Sequence, residues 1–186
     1  MDISVVIPLY NEAESLPELF SWIERVMKEH NYTYEVIFVN DGSTDNSWEV
    51  IEELKQRSPH VRGIKFRRNY GKSPGLHCGF QRAKGDVVIT MDADLQDDID
   101  AIDAMLTAFQ NGNDIVYGVR SARVTDTWFK RTTAEGFYKI MDRFGAKIVY
   151  NHADYRLMSK RALDGLAEFG EVNLFLRGMV PLVGYP

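Results

Sequence analysis

Val36-Ile37-Phe38-Val39-Asn40-Asp41-Gly42-Ser43-Thr44-Asp45-Asn46-Ser47 passes from an unbroken apolar run into a cluster of turn-forming and helix-capping residues. Consecutive β-branched and aromatic residues suit a strand covered on both faces. Asp, Gly, Ser and Asn just ahead of a helical pattern are the residues preferred in a turn and at an N-cap. Strand, polar turn and helix in that order form the repeating unit of an α/β fold. Outward from this stretch the unit recurs. Strand-like runs over 3–8, 35–40, 61–66, 86–92 and 114–118 alternate with helical patterns over 17–30, 47–57, 73–83 and 99–110. That alternation predicts a mostly parallel sheet with crossover helices. Val87-Val88-Ile89 repeats the doubly covered apolar run, and no internal repeat or low-complexity linker interrupts the pattern.

The bulk numbers fit one domain. The chain has 186 residues, 45% hydrophobic and 26% charged, enough for a sizeable core. A net charge of -5 argues against a general nucleic-acid binder, which needs basic excess to neutralise phosphates. A single cysteine, Cys78, excludes an internal disulfide and any Cys-rich metal site. His30, His60, His77 and His152 are scattered without ligand spacing and are read as structural or surface residues. The start, Met1 to Pro8, lacks a basic n-region and reads as a first strand, not a signal peptide. No run approaches the roughly 20 apolar residues that a membrane-spanning helix needs.

In open α/β sheets ligands sit outside the carboxyl ends of the strands, and the polar residues of this chain gather there. Tyr10-Asn11-Glu12 follow the first strand, Asp41 to Asp45 the second, Arg67-Arg68-Asn69 the third, Asp92-Ala93-Asp94-Leu95-Gln96 the fourth, and Arg120 the fifth. Core packing alone does not require charged or amide side chains at five strand ends, so an active site is expected on that edge.

Asp92 and Asp94 stand at i and i+2. In an extended segment such side chains project to one side and can reach one hard cation, with Gln96 as a neutral oxygen ligand at the next alternate position. Mg²⁺ or Mn²⁺ would suit that set and act as a Lewis acid on a leaving diphosphate. The segment 40–47 has two readings: a turn with an N-cap, or a site whose Asp41 carboxylate accepts an N–H from a nucleotide base. Tyr10 either stacks on the base or closes the core. Over 128–150 the apolar residues Phe137, Met141, Phe144 and Ile148 form one helical stripe, and five basic residues outnumber two acidic ones. Such a segment suits an anionic membrane surface or, equally, an ordinary surface helix.

The runs Val5 to Glu12, Val39 to Asp45, Arg68-Asn69-Tyr70-Gly71-Lys72, Met91 to Gln96, Ala153-Asp154-Tyr155-Arg156-Leu157 and Phe175-Leu176-Arg177-Gly178 together resemble family 2 glycosyltransferases. They are most similar to the branch of dolichyl-phosphate mannose synthase and the bacterial polyprenyl-phosphate glycosyltransferases. The resemblance covers nearly the whole chain in order. It implies a Rossmann-like GT-A fold and an inverting, metal-dependent transfer of a hexose from a nucleotide diphosphate, UDP favoured over GDP, to a polyprenyl phosphate. The competing expectations are a saccharide hydroxyl acceptor and a non-catalytic nucleotide-sugar-binding subunit.

By that resemblance Pro8, Tyr10, Glu12, Asp41 and Lys72 would hold the nucleotide, and Asp92, Asp94 and Gln96 the Mg²⁺ or Mn²⁺ ion and diphosphate. Arg120 and Arg131 would meet the acceptor phosphate, a role that suits the planar donor fork of arginine. Asp154 occupies the place where an acidic side chain acts as catalytic base on a hydroxyl acceptor. A phosphate acceptor is already largely dianionic near neutral pH, so Asp154 is expected to position the acceptor or balance Arg156.

The whole chain is expected to be one catalytic domain, with a nucleotide-sugar-binding half over 1–120 and an acceptor- and membrane-facing half over 121–186. The expected location is the cytoplasmic face of the cell membrane, with a homo-oligomer as a compatible assembly. Two departures stand out: Asn40 replaces the first of two common aspartates, and Asp98 and Ile99 replace a usual pair of prolines. The end at Gly184-Tyr185-Pro186, without a C-cap, reads as a truncation of a longer, membrane-anchored protein. The family continues there into an Arg-containing loop and, in many members, transmembrane helices.

Overall fold

The computed structural model describes residues 2–119, 152–168 and 179–186. Arg120, Arg131, the basic stripe over 128–150 and the Phe175 to Gly178 motif lie outside the described residues. The described elements are β1 (Asp2–Leu9), α1 (Leu16–Glu29), β2 (Thr33–Asn40), α2 (Ser47–Arg57), β3 (Val61–Lys65) and α3 (Lys72–Arg82). They continue with β4 (Val87–Thr90), α4 (Ala101–Gln110), β5 (Ile115–Val119), β6 (His152–Ser159), α5 (Lys160–Ala167) and a 3₁₀ turn (Val180–Val183).

Six strands form one sheet in the order β3-β2-β1-β4-β6-β5. β1 pairs in parallel with β2 and β4, and β2 with β3. β6 runs antiparallel between β4 and β5, and the sequence reading did not predict it. Its charged residues hide the strand pattern: Asp154 and Arg156 alternate with Tyr155 and Leu157, and both charged side chains are buried.

Successive strand residues face opposite sides, which divides the core into two layers. Ile3, Val5 and Ile7 of β1 pack with Leu19 and Ile23 of α1, Ile51 of α2, and Ile102 and Leu106 of α4. Val6 joins Ile37, Val39 and Val88 on the other face, under Leu76 and Phe80 of α3 and Leu163 and Leu166 of α5. In α1 the buried residues Leu16, Leu19, Phe20, Ile23, Val26 and Met27 recur at helical spacing behind a proline in the first turn. Each such apolar side chain contributes about 1.5–3 kcal/mol on burial. α3 lies unusually close to β1, since a Cβ at Gly79 would sit 2.3 Å from Val6 Cγ1.

This arrangement dictates where a ligand can bind. From β1 the chain steps to β2 and β3 in one direction along the sheet, then α3 crosses the opposite face and β4 pairs on the far side of β1. α1, α2 and α4 thus pack on one face and α3 on the other, and the strand order reverses at β1, so the carboxyl end of β1 is the topological switch point where α/β sheets bind ligands.

Candidate active site

A cavity of about 310 Å³ opens at that switch point. Pro8, Leu9, Tyr10 and Glu12 line it from the end of β1, Asp41 from the end of β2, Asn69, Gly71 and Lys72 from the β3–α3 connection, and Asp92, Ala93 and Asp94 from behind β4. Seven of the expected site residues thus share one cavity. Tyr10 is 44% exposed, so it stands at the rim and does not close the core.

Hydrogen bonds stitch the rim loops together. Asn11, in the left-handed region at φ 58°, accepts the Thr44 N–H at 2.8 Å through its side chain. Its own N–H donates to Ser43 Oγ at 2.9 Å. Ser47 Oγ accepts the Glu12 N–H at 3.0 Å, and Asp45 accepts the Ala13 N–H at 3.2 Å. Burial by itself would raise the Asp45 carboxyl, but hydrogen bonds from Ser47 and the Ala13 N–H outweigh it and hold the carboxyl below its ordinary value. Asn40 is fully buried and its Oδ1 accepts the Ser43 N–H at 2.8 Å, so the amide standing in place of the usual aspartate braces the turn.

Asp41 uses both oxygens on the backbone of the β3–α3 connection. Oδ1 accepts the Tyr70 N–H at 2.7 Å and Oδ2 the Gly71 N–H at 2.8 Å. This fixes the approach to α3, whose first residue is Lys72. The Lys72 ammonium pairs with Asp92 Oδ1 and lies 2.7 Å from Asp154 Oδ2. Asp154 Oδ1 in turn accepts from Arg156 Nη2 at 2.7 Å, with both side chains almost fully buried. Stripping one partner from such a buried pair costs about 3–5 kcal/mol, because the remaining charge is left uncompensated.

The reverse direction of β6 explains how Asp154 arrives here. Thr90, the last residue of β4, pairs with Arg156, so the beginning of β6 lies beside the end of β4. Thr90 Oγ1 donates to the Asp154 carbonyl and locks the two strands at this point. Tyr155 on the opposite face donates to the Asp98 carbonyl at 2.8 Å. Its burial, and then the neighbouring carboxylates of Asp97, Asp98 and Asp100, raise its phenol far above the ordinary range.

The segment after β4 is not extended. It bends over 93–95, and Leu95 takes φ 60°, a conformation that is rare for a bulky side chain and is found where function demands it. Asp92 and Asp94 still face one cavity, whereas Gln96 is exposed and absent from its lining. The Gln96 N–H donates to Asp94 Oδ1 at 3.2 Å. Asp97, which the sequence reading did not single out, is buried and accepts the Asp92 N–H at 2.9 Å. It braces the bend from within. Among the described residues no group of three or more His, Cys, Asp or Glu side chains gathers to hold a metal.

The model of the family described as "Glycosyl transferase family 2" matches residues 4–166. The chain belongs to glycosyl transferase family 2. It is 44% identical over 191 aligned residues to an uncharacterised glycosyltransferase of Bacillus subtilis, covering 98% of this chain and 57% of the relative. It is 40% identical to the bactoprenol glucosyl transferase of Shigella phage SfV, covering 99% of this chain and 60% of the relative. The chain thus spans about three-fifths of the length of these curated relatives. Among solved structures, a mannosyltransferase of Pyrobaculum calidifontis in complex with GDP-Man and Mn²⁺ matches with a TM-score of 0.66 at 20% identity, covering 98% of this chain and 52% of that one. The fold of this family 2 member is the GT-A fold. No helix among its described residues is long and apolar enough to cross a membrane.

Proposed function

We propose that this family 2 member is the catalytic domain of an inverting glycosyltransferase. It would move a sugar from a nucleotide diphosphate, UDP favoured and GDP-mannose the alternative donor, to a polyprenyl phosphate at the cytoplasmic face of the membrane. The observation that carries the acceptor class is the 40% identity to a bactoprenol glucosyl transferase across nearly all of this chain. The donor class rests on the cavity at the switch point, where aromatic, amide, ammonium and carboxylate groups converge.

In this reading Pro8, Tyr10, Glu12 and Asp41 hold the nucleoside, with the exposed Tyr10 ring available to stack on a base. Lys72 meets the diphosphate. Asp92 and Asp94 would hold Mg²⁺ or Mn²⁺, whereas Gln96, exposed and outside the cavity lining, is not placed to join them. Two carboxylates on an open cavity fit such an ion, because Mg²⁺ is commonly held by one or two carboxylates plus phosphate oxygens. When bound, the ion would supply Lewis-acid stabilisation of the leaving diphosphate. Arg120 and Arg131 are assigned to the acceptor phosphate. Asp154, with Lys72 and Arg156 on its two oxygens, fixes local charge and orients the acceptor. A phosphate acceptor needs no proton removed near neutral pH, so orientation for in-line attack carries the reaction. We assign the donor to residues 1–120 and the acceptor and membrane surface to 121–186.

Incubation with undecaprenyl phosphate, Mn²⁺ and radiolabelled UDP-glucose or GDP-mannose tests this reading. Label extracted into organic solvent together with nucleotide release from one donor supports it. Label passing only to water-soluble saccharide would replace the acceptor class, and nucleotide-sugar binding without turnover would make the protein a binding subunit.

A further inference from the structure

We infer that Lys72 is an internal counter-cation for the carboxylates of the site, so that a divalent ion gains full use of Asp92 only when a nucleotide diphosphate draws the Lys72 ammonium away. The inference rests on the donor-site reading above and adds an order of events to it.

Three observations carry it. Lys72 Nζ is ion-paired with Asp92 Oδ1 and lies 2.7 Å from Asp154 Oδ2, so one ammonium serves two carboxylates. Asp154 is held on its other oxygen by the buried Arg156, so the pair Asp154–Arg156 is fixed and Lys72 is the member that can leave. The Lys72 side chain is 37% exposed at the cavity, while its backbone is fixed through Gly71 to Asp41. A flexible four-carbon stem on a fixed root can swing its charge without moving the helix.

Electrostatics sets the consequence. A dication drawing on Asp92 meets the ammonium already bound to it, and the two cations repel. A diphosphate offers Lys72 a denser negative partner and charge-assisted hydrogen bonds. Nucleotide binding then frees Asp92, and metal binding favours the swung ammonium. Such coupling is reciprocal: each ligand tightens the other by the same factor, within the usual range of about 5–150-fold.

The test is Mn²⁺ binding followed by electron paramagnetic resonance, with and without UDP and GDP, on wild type, Lys72→Met, Lys72→Gln and Lys72→Arg, each checked for native circular dichroism. Loss of the charge is expected to tighten Mn²⁺ binding without nucleotide by about tenfold and to shrink the nucleotide enhancement correspondingly, while Lys72→Arg stays near wild type. Unchanged or weaker Mn²⁺ binding in both neutral variants, with the nucleotide enhancement intact in wild type, overturns the inference and leaves the donor site standing. Absence of Mn²⁺ binding in wild type under every condition overturns the donor-site reading and the inference with it.

Discussion

Asp41 Oδ2 accepts the backbone N–H of Gly71 at 2.8 Å, joining the end of β2 to the residue that precedes α3. The partner oxygen holds Tyr70 in the same way, so one carboxylate fixes the root of Lys72. Asp41→Ala is expected to lower stability by about 2–4 kcal/mol through two lost hydrogen bonds to a charged acceptor. Nucleotide affinity should fall as well, since Lys72 loses its anchor. Urea unfolding and calorimetric titration with UDP and GDP measure the two effects; unchanged stability would refute the anchoring role.

Gly42 sits at φ 71°, and a Cβ there would lie 2.3 Å from the Arg68 carbonyl carbon. The left-handed backbone costs an ordinary residue about 1–2 kcal/mol, and a clash with main chain cannot be relieved by a rotamer change. Gly42→Ala is expected to destabilise by about 2–5 kcal/mol and to disturb the β3–α3 connection. A thermal midpoint within 2 °C of wild type, on the order of 0.5–1 kcal/mol, would contradict this.

Asp94 faces the cavity from the bend after β4. Calorimetry with UDP, GDP, UDP-glucose and GDP-mannose, with and without Mn²⁺, is expected to give metal-dependent binding of one nucleotide class. Asp94→Ala should remove the metal-dependent part and leave the fold intact. Equal binding in the variant would take Asp94 out of the metal set.

Two carboxylates make stability sensitive to acid. Arg161 and then Ser159 hold the Asp114 carboxyl below its ordinary value of 3.8. Burial would raise Glu35, but hydrogen bonds from Arg62, Ser4 and the Lys84 N–H bring it below its ordinary value of 4.5. A carboxyl lowered in the folded state adds stability above its unfolded pKa and loses it as pH falls through the folded pKa. Stability attributable to these groups is thus complete near neutrality and falls away below about pH 4. Asp114→Asn and Glu35→Gln should each flatten the melting temperature profile between about pH 2.5 and 4.5; parallel profiles would count against them.

Much of this was legible from pattern alone. The five strands and four helices of the alternating region are present with ends shifted by a few residues, because long apolar runs and periodic helix faces are strong signals. The gathering of Tyr10, Asp41, Asp92 and Asp94 followed from strand ends facing one edge, and Lys72 was added by the family resemblance. β6 was not legible, because a strand carrying a buried Asp and Arg looks like a loop until its partners are known. The use of Asp41 on main-chain N–H groups and the brace from Asp97 to Asp92 are contacts across loops, and spacing cannot reveal them. The bend at Leu95 contradicted the extended geometry because a left-handed leucine has no signature in sequence.

The late insertion of β6 also constrains how the chain reaches its native state. β4 is made early, yet one of its edges pairs only with residues 156–159, so a nascent chain carries an open, apolar strand edge until those residues have been synthesised. Such edges recruit foreign strands. The same closure brings Asp154 beside Asp92 through Lys72, so the charge cluster of the crevice and the protection of the sheet against misassembly are completed in one step.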